Sequence, residues 1–419
     1  MTTNQQTLQH MRNYLWNLLQ TGDFHERPGV LATVEMALKS TEQDWILDVF
    51  NWARIQDIPA RQEQAQGNEE IWREPPAESL RGEVFIGHTI ASGHQVWIPR
   101  ESFGYRGHLA AYGASGTGKS SLLNFICTQL ISADIPTLTF DSLNQSAVVR
   151  VPTAPAGKLL LVDYPDYRCN FLCGSQDQIQ WIRSASDHLM DSLDIELVTM
   201  NLLIRMCEEI VRSGDIAAVP SLLAELEKPQ HRSMSHRALR NRLLPLVIGG
   251  QRVFDCEAGF DLRQMLARSV ILNLKGTPLS HRKLIINDLY FYFNQTREIL
   301  PKWKLRNVFF IHEAGSLISR AISNDSSYML RIICEARNYG IGLVLADQTP
   351  HLEHPAIKSN IGTRCIFRLE DQTGVEMFKV SLGLNEKQRH SIMNLPDRHM
   401  ILRRPDIPFP FLVRVPSLF

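Results

Sequence analysis

The stretch Gly113-Ala114-Ser115-Gly116-Thr117-Gly118-Lys119-Ser120 decides how this chain is read. Its glycines let the backbone approach a polyphosphate closely, and its amides converge at the start of a helix, where donors and dipole both favour anionic oxygens. In this pattern Lys119 reaches the β- and γ-phosphates and Ser120 ligands magnesium, with Ser121 beside them. The flanks agree. His108-Leu109-Ala110-Ala111-Tyr112 reads as a buried strand and Ser121 to Cys127 opens an amphipathic helix, so the glycine loop stands at a strand-to-helix turn. A glycine-rich turn of purely structural origin seldom matches all eight positions in that context. ATP and Mg2+ are the expected ligands.

Outward from the loop, Thr137-Leu138-Thr139-Phe140-Asp141 reads as a second strand. Further strands are expected at Val270–Leu274, Val308–Ile311, Gly342–Ala346 and Arg364–Arg368. Several of these are almost continuous apolar runs separated by helical patterns, as in a parallel sheet covered on both faces. Two short runs, Val84-Phe85-Ile86 and Val96-Trp97-Ile98, flank a turn at Ala91-Ser92-Gly93 and read as a hairpin. The expected class is therefore α/β, a P-loop NTPase with a mostly parallel sheet and a helical insertion at about 178–246. Residues 1–58 place Leu8, Met11, Leu15, Leu18 and Leu19, then Val34, Leu38, Trp45, Val49 and Trp52, at helical spacing. Residues 59–81 are rich in Gln, Glu and Pro and read as a linker. The division is then a helical module at 1–58, a linker at 59–81, a hairpin region at 82–107 and the ATPase core at 108–419.

The 44 Lys plus Arg balance 44 Asp plus Glu, which argues against a protein that coats a polyanion over its whole surface. A nucleic-acid partner would have to meet charge concentrated in a channel or loop. The seven cysteines are scattered and odd in number, so they read as reduced core thiols rather than a disulfide framework. Cys169 and Cys173 near Asp163 and Asp166 lack the second ligand pair of a zinc site. No apolar run approaches the roughly 20 residues of a membrane span, and the start of the chain lacks a signal-peptide core. A cytoplasmic protein without membrane insertion is expected.

Two later segments carry chemistry. Val308-Phe309-Phe310-Ile311 runs into His312-Glu313-Ala314-Gly315, a strand end followed by a glutamate placed to polarise an attacking water. The alternative for Glu313 is a helix cap. His312 occupies the position where an Asp usually orients magnesium, and a neutral imidazole suits that hard cation poorly. Asp141 or Asp347 is the carboxylate available to help. The segment Arg337-Asn338-Tyr339-Gly340-Ile341-Gly342-Leu343-Val344-Leu345-Ala346-Asp347-Gln348 ends a helix, crosses a buried strand and presents Gln348 at its tip, as a γ-phosphate sensor or a loop amide. Arg337 and Arg331 are candidates to reach a neighbouring subunit's phosphate, against the blander role of solvating a helix. The four arginines of residues 231–242 suit either a pore lining or a solvated face.

In this order and spacing the phrases resemble the HerA/FtsK superfamily of ring-forming motor ATPases, the HerA branch and related conjugation ATPases more than FtsK itself. The resemblance runs from Val84 to Val415 and rests on IGHT, GASGTGKSS, LRNRLLPLV before VILNLKG, HEAG, ARNYGIGLVLADQTP and NIGTRCIFRLED. It implies a RecA-like core, a homo-oligomeric ring, hexameric in the family, with ATP at subunit interfaces, and a pore that moves duplex DNA. By analogy with HerA-like ATPases of antiphage defence, a partner nuclease or effector is expected. Three departures stand out: His312 for Asp, Asp141-Ser142-Leu143-Asn144 without the Gly-Glu frequent after that Asp, and a region before the loop too short for the family's N-terminal β-barrel. Two rival functions remain, an ATP-binding scaffold or switch with weak hydrolysis that organises an effector, and a conjugation or secretion motor.

Overall fold

The computed structural model describes residues 71–104, 106–142, 158–174, 177–248, 253–296, 305–317 and 327–416, with a few isolated positions among the first fifty. The helical module expected at 1–58 and the linker as far as residue 70 otherwise lie outside the described residues.

Eleven strands form one sheet: β1 Val84–Thr89, β2 Gln95–Ile98, β3 His108–Tyr112, β4 Thr137–Asp141, β5 Leu159–Asp163, β6 Ser269–Asn273, β7 Asn307–Ile311, β8 Ile341–Asp347, β9 Ile361–Ile366, β10 His399–Arg403 and β11 Phe411–Arg414. Their order is β2-β1-β11-β10-β9-β3-β8-β7-β4-β6-β5. From β9 to β5 every pairing is parallel, whereas β10, β11, β1 and β2 extend the sheet in antiparallel fashion. The α/β class with a mostly parallel sheet is therefore the observed one. The hairpin β1–β2 runs on into the sheet, because β1 also pairs with β11. Within the expected linker, Trp72 is buried and its indole donates to Ser391 Oγ at 3.2 Å, so Ile71 and Trp72 pack on the core.

The central strands β3, β4, β7 and β8 are buried along their whole length, which explains their unbroken apolar runs. Strand alternation divides their side chains between two cores. Leu109, Ala111, Val344 and Ala346 face α1, Lys119–Ser132, which presents Leu122, Leu123, Ile126, Cys127, Leu130 and Ile131 at helical spacing. Ala110, Tyr112, Leu343 and Leu345 face the opposite layer. That layer contains α2 Gln178–Ser184, α3 Ser186–Leu193, α4 Leu197–Arg212, α5 Val219–Leu226 and α6 Met234–Leu243, and is completed by α7 Leu279–Thr296 and α8 Tyr328–Glu335. Helices α9 Gln372–Leu382 and α10 Glu386–Met393 lead to β10.

One tie joins α1 to the antiparallel side. The register of β1 against β2 shifts between Phe85 and Gly87, and the Gln129 amide of α1 meets the Phe85 backbone there. The Phe85 amide donates to Gln129 Oε1 at 2.9 Å, and Gln129 Nε2 donates to the Phe85 carbonyl at 2.7 Å.

Candidate nucleotide site

The glycine loop leaves the C-terminal end of β3, a strand flanked by β8 and β9, where open α/β sheets place their ligands. Gly113, Gly116 and Gly118 have φ of 150°, 82° and 114°, conformations that side chains disfavour. A Cβ on Gly113 would lie 2.7 Å from Phe367 Cβ, whereas one on Gly116 would meet open space. Neighbouring strand ends hold the loop in place: the Ala114 amide donates to the Arg368 carbonyl at 2.8 Å, and the Arg398 amide donates to the Thr117 carbonyl at 2.8 Å. The Thr117 side chain is buried and its hydroxyl donates to the Ala114 carbonyl at 2.8 Å.

Lys119 opens α1 and folds back over the loop, donating from Nζ to the Gly113 and Ala114 carbonyls at 2.5 and 2.7 Å. Burial lowers its pKa to about 8, against the opposing pull of the Asp347 carboxylate. A cleft of about 200 Å³ is lined by Ser115, Gly116, Gly118, Lys119, Ser120, Ser121, His312, Glu313, Ala346, Asp347 and Gln348. The fold thus brings together, from the ends of β3, β7 and β8, the phosphate loop with Glu313 and Gln348.

The geometry also places Asp347, a buried carboxylate, in the cleft lining and leaves Asp141 out of it. Asp347 reaches its position because Gly315 has no side chain: a Cβ there would lie 2.3 Å from either carboxylate oxygen. Its Oδ1 accepts the Gln348 amide at 2.7 Å. Asp141 is buried at the end of β4, and its charge acts on His312. Burial depresses the His312 imidazole, while Asp141 and Glu313 pull it the other way. Glu313 adopts φ 56°, and its Oε2 stands 3.6 Å from Arg282 Nη1. Neither Gly315 nor Arg282 could be singled out by spacing, since each matters through a partner distant in sequence.

The cradle fits a nucleotide polyphosphate, because its loop backbone is preformed, it carries open space at Gly116, and a cationic group sits over it. Ser120 and Asp347 supply the oxygen donors that a magnesium ion prefers.

Arg337 does not join this cleft. It precedes β8, whereas Gln348 follows it, so a seven-residue strand separates the two ends by about 20 Å. There its Nη2 donates to Asn360 Oδ1 at 2.7 Å. Arg331 is engaged by Glu335 at 3.0 Å and Asp187 at 3.1 Å. Of the basic run at 231–242, Arg242 pairs with Asp194 at 2.6 Å and Arg240 approaches Glu227 at 3.9 Å, while Arg232 and Arg237 are exposed. The cysteines are free thiols, but Cys173 and Cys334 are exposed rather than in the core. Among the described residues, no cluster of His, Cys, Asp and Glu could hold a metal, and no helix is long and apolar enough to cross a membrane.

No protein-family model and no curated protein matches the sequence. Solved structures do match the fold. VirB4 of Thermoanaerobacter pseudethanolicus superposes with a TM-score of 0.58 at 12% identity, covering 80% of this chain and 97% of that one. The bacterial conjugative coupling protein TrwBdeltaN70, in an unbound form, gives 0.59 at 14% identity, covering 81% and 90%. TrwB in complex with ADP and Mg2+ gives 0.58 at 15% identity, covering 82% and 92%. The chain therefore has the fold of VirB4 and TrwB.

Proposed function

We propose that this chain binds ATP with Mg2+ in the cleft at the ends of β3, β7 and β8 and hydrolyses it as the subunit of a self-assembled, hexameric ring that translocates duplex DNA. The observation that carries the reading is the convergence of Lys119, Ser120, Glu313 and Gln348 on one cleft. Lys119 and the loop amides neutralise the phosphates, and Ser120 with Asp347 holds the metal, which offsets phosphate charge when bound. Glu313 orients and polarises water, and Gln348 reads the terminal phosphate. The crystallised complex of TrwB with ADP and Mg2+ supports the choice of ligands. The resemblance to HerA supports the ring, the DNA and a partner nuclease or effector, with antiphage defence as the setting.

His312 favours a second reading, a nucleotide-dependent scaffold with slow turnover, because a buried imidazole held neutral brings no charge to the metal. Steady-state ATPase at fixed low salt, with and without duplex DNA, separates the two. The motor reading expects DNA to raise wild-type turnover several-fold, and Glu313→Gln to bind ATP while losing at least about 100-fold in turnover. Full activity in Glu313→Gln would overturn the site. A wild type indifferent to DNA but activated by His312→Asp would establish the scaffold.

A further inference from the structure

We propose that Arg282 is a positioning residue for Glu313 and that it ties this carboxylate to the helical layer; the proposal rests on the reading of Glu313 given above. Arg282 lies in the first turns of α7, and its Nη1 stands 3.6 Å from Glu313 Oε2. Glu313 faces the cleft, whereas Arg282 is not part of the lining, so the guanidinium approaches the carboxylate from behind. The pair therefore forms while Glu313 remains at the cleft wall. A glutamate with φ 56° keeps that backbone conformation only where its surroundings hold it, and the guanidinium is the cation paired with it. Arg282 Nε is buried without a hydrogen-bond partner among the described residues, and Glu313 is the acidic residue with which its guanidinium pairs there.

The next residue anchors the same turn to the helical insertion. Lys283 Nζ donates to the Asp191 carbonyl and to Asp191 Oδ1, both at 2.8 Å, and Asn287 Nδ2 donates to Ser192 Oγ at 2.9 Å. Asp191 Oδ2 also accepts the Tyr328 amide at 3.2 Å, at the start of α8. Through α7, a displacement of α3 is passed to the guanidinium behind Glu313. The helical layer is thereby placed to adjust the geometry of water activation without touching nucleotide.

The test compares full-length wild type, Arg282→Gln, Arg282→Lys, Glu313→Gln and the double variant Arg282→Gln/Glu313→Gln. Readouts are ATPase kcat and KM and the Kd of a fluorescent ATP analogue. Removing a group that orients a metal ligand typically costs about 10–100-fold in activity, and the lower end of that range is the expectation for one that orients a carboxylate. Arg282→Gln is expected to lower kcat about tenfold with Kd unchanged, Arg282→Lys to recover part of the loss, and the double variant to match Glu313→Gln alone. Wild-type or raised kcat in Arg282→Gln, or equal losses in kcat and Kd that Lys does not relieve, would overturn the proposal. If Glu313→Gln itself retains full activity, the fault lies in the site reading instead.

Discussion

Lys119 is the residue at which burial and charge compete most directly. Desolvation brings its ammonium down to about 8 even with the Asp347 carboxylate opposing. Phosphate binding favours the charged form, so the bound complex holds this proton more tightly than the free protein. Affinity for ATP is accordingly expected to be full below about pH 8 and to decline above it, by about tenfold per pH unit until the bound-state pKa is reached. Titrating a non-hydrolysable analogue from pH 7 to 9.5 checks this; Lys119→Ala should bind weakly with no such slope, and a flat wild-type profile would remove Lys119 from the phosphate contact. The place of this residue in the loop was legible because the loop is written in eight consecutive positions. Asp347 and Arg282 were harder to place, because each acts across space on a partner set by strand order and helix packing.

The ends of β7 and β8 work as a pair of elements. Gly315, just after β7, leaves the room that the Asp347 carboxylate at the end of β8 occupies. Gly315→Ala should force the carboxylate out of the cleft or shift the turn after β7, lowering stability by about 1–3 kcal/mol and weakening magnesium-dependent nucleotide binding. A thermal melt together with analogue binding in the presence and absence of Mg2+ measures both effects; wild-type values in both would mean that Asp347 relocates freely and takes no part in the site. The strands of the parallel centre were readable because burial on both faces imposes continuous apolar sequence. β10 and β11 also carry buried apolar runs, Met400-Ile401-Leu402 and Phe411-Leu412-Val413, but runs of three residues are too short for their pattern to separate a strand from a helix segment. β9 was legible only in part: it begins at Ile361 and ends at Ile366, earlier than the apolar run Arg364–Arg368 suggests.

At the scale of the whole molecule, Arg337 lies a full strand length from its own cleft, so a part in catalysis requires a second copy. If the ring brings Arg337 of one subunit to the phosphates of the next, Arg337→Ala should bind ATP normally and hydrolyse it at least about tenfold more slowly. Mixing Arg337→Ala with Lys119→Ala subunits should restore part of the activity, because some interfaces then carry an intact cleft and an intact arginine. The check is ATPase across mixing ratios with co-assembly confirmed; co-assembled rings that recover nothing would confine Arg337 to a structural role beside Asn360. Such a site is composed of two surfaces that only meet on assembly, and a single sequence records each surface without recording their meeting.

The Gln129 amide imitates a strand, completing the ladder where β1 lacks register, and so bolts the helix behind the phosphate loop to a margin of the sheet separated from β3 by three strands. A helix fastened at both ends behaves as a strut. Any slip of α1 along its axis, such as a tightening of the loop at its N-terminus would demand, must therefore unseat that amide or carry β1 along with it.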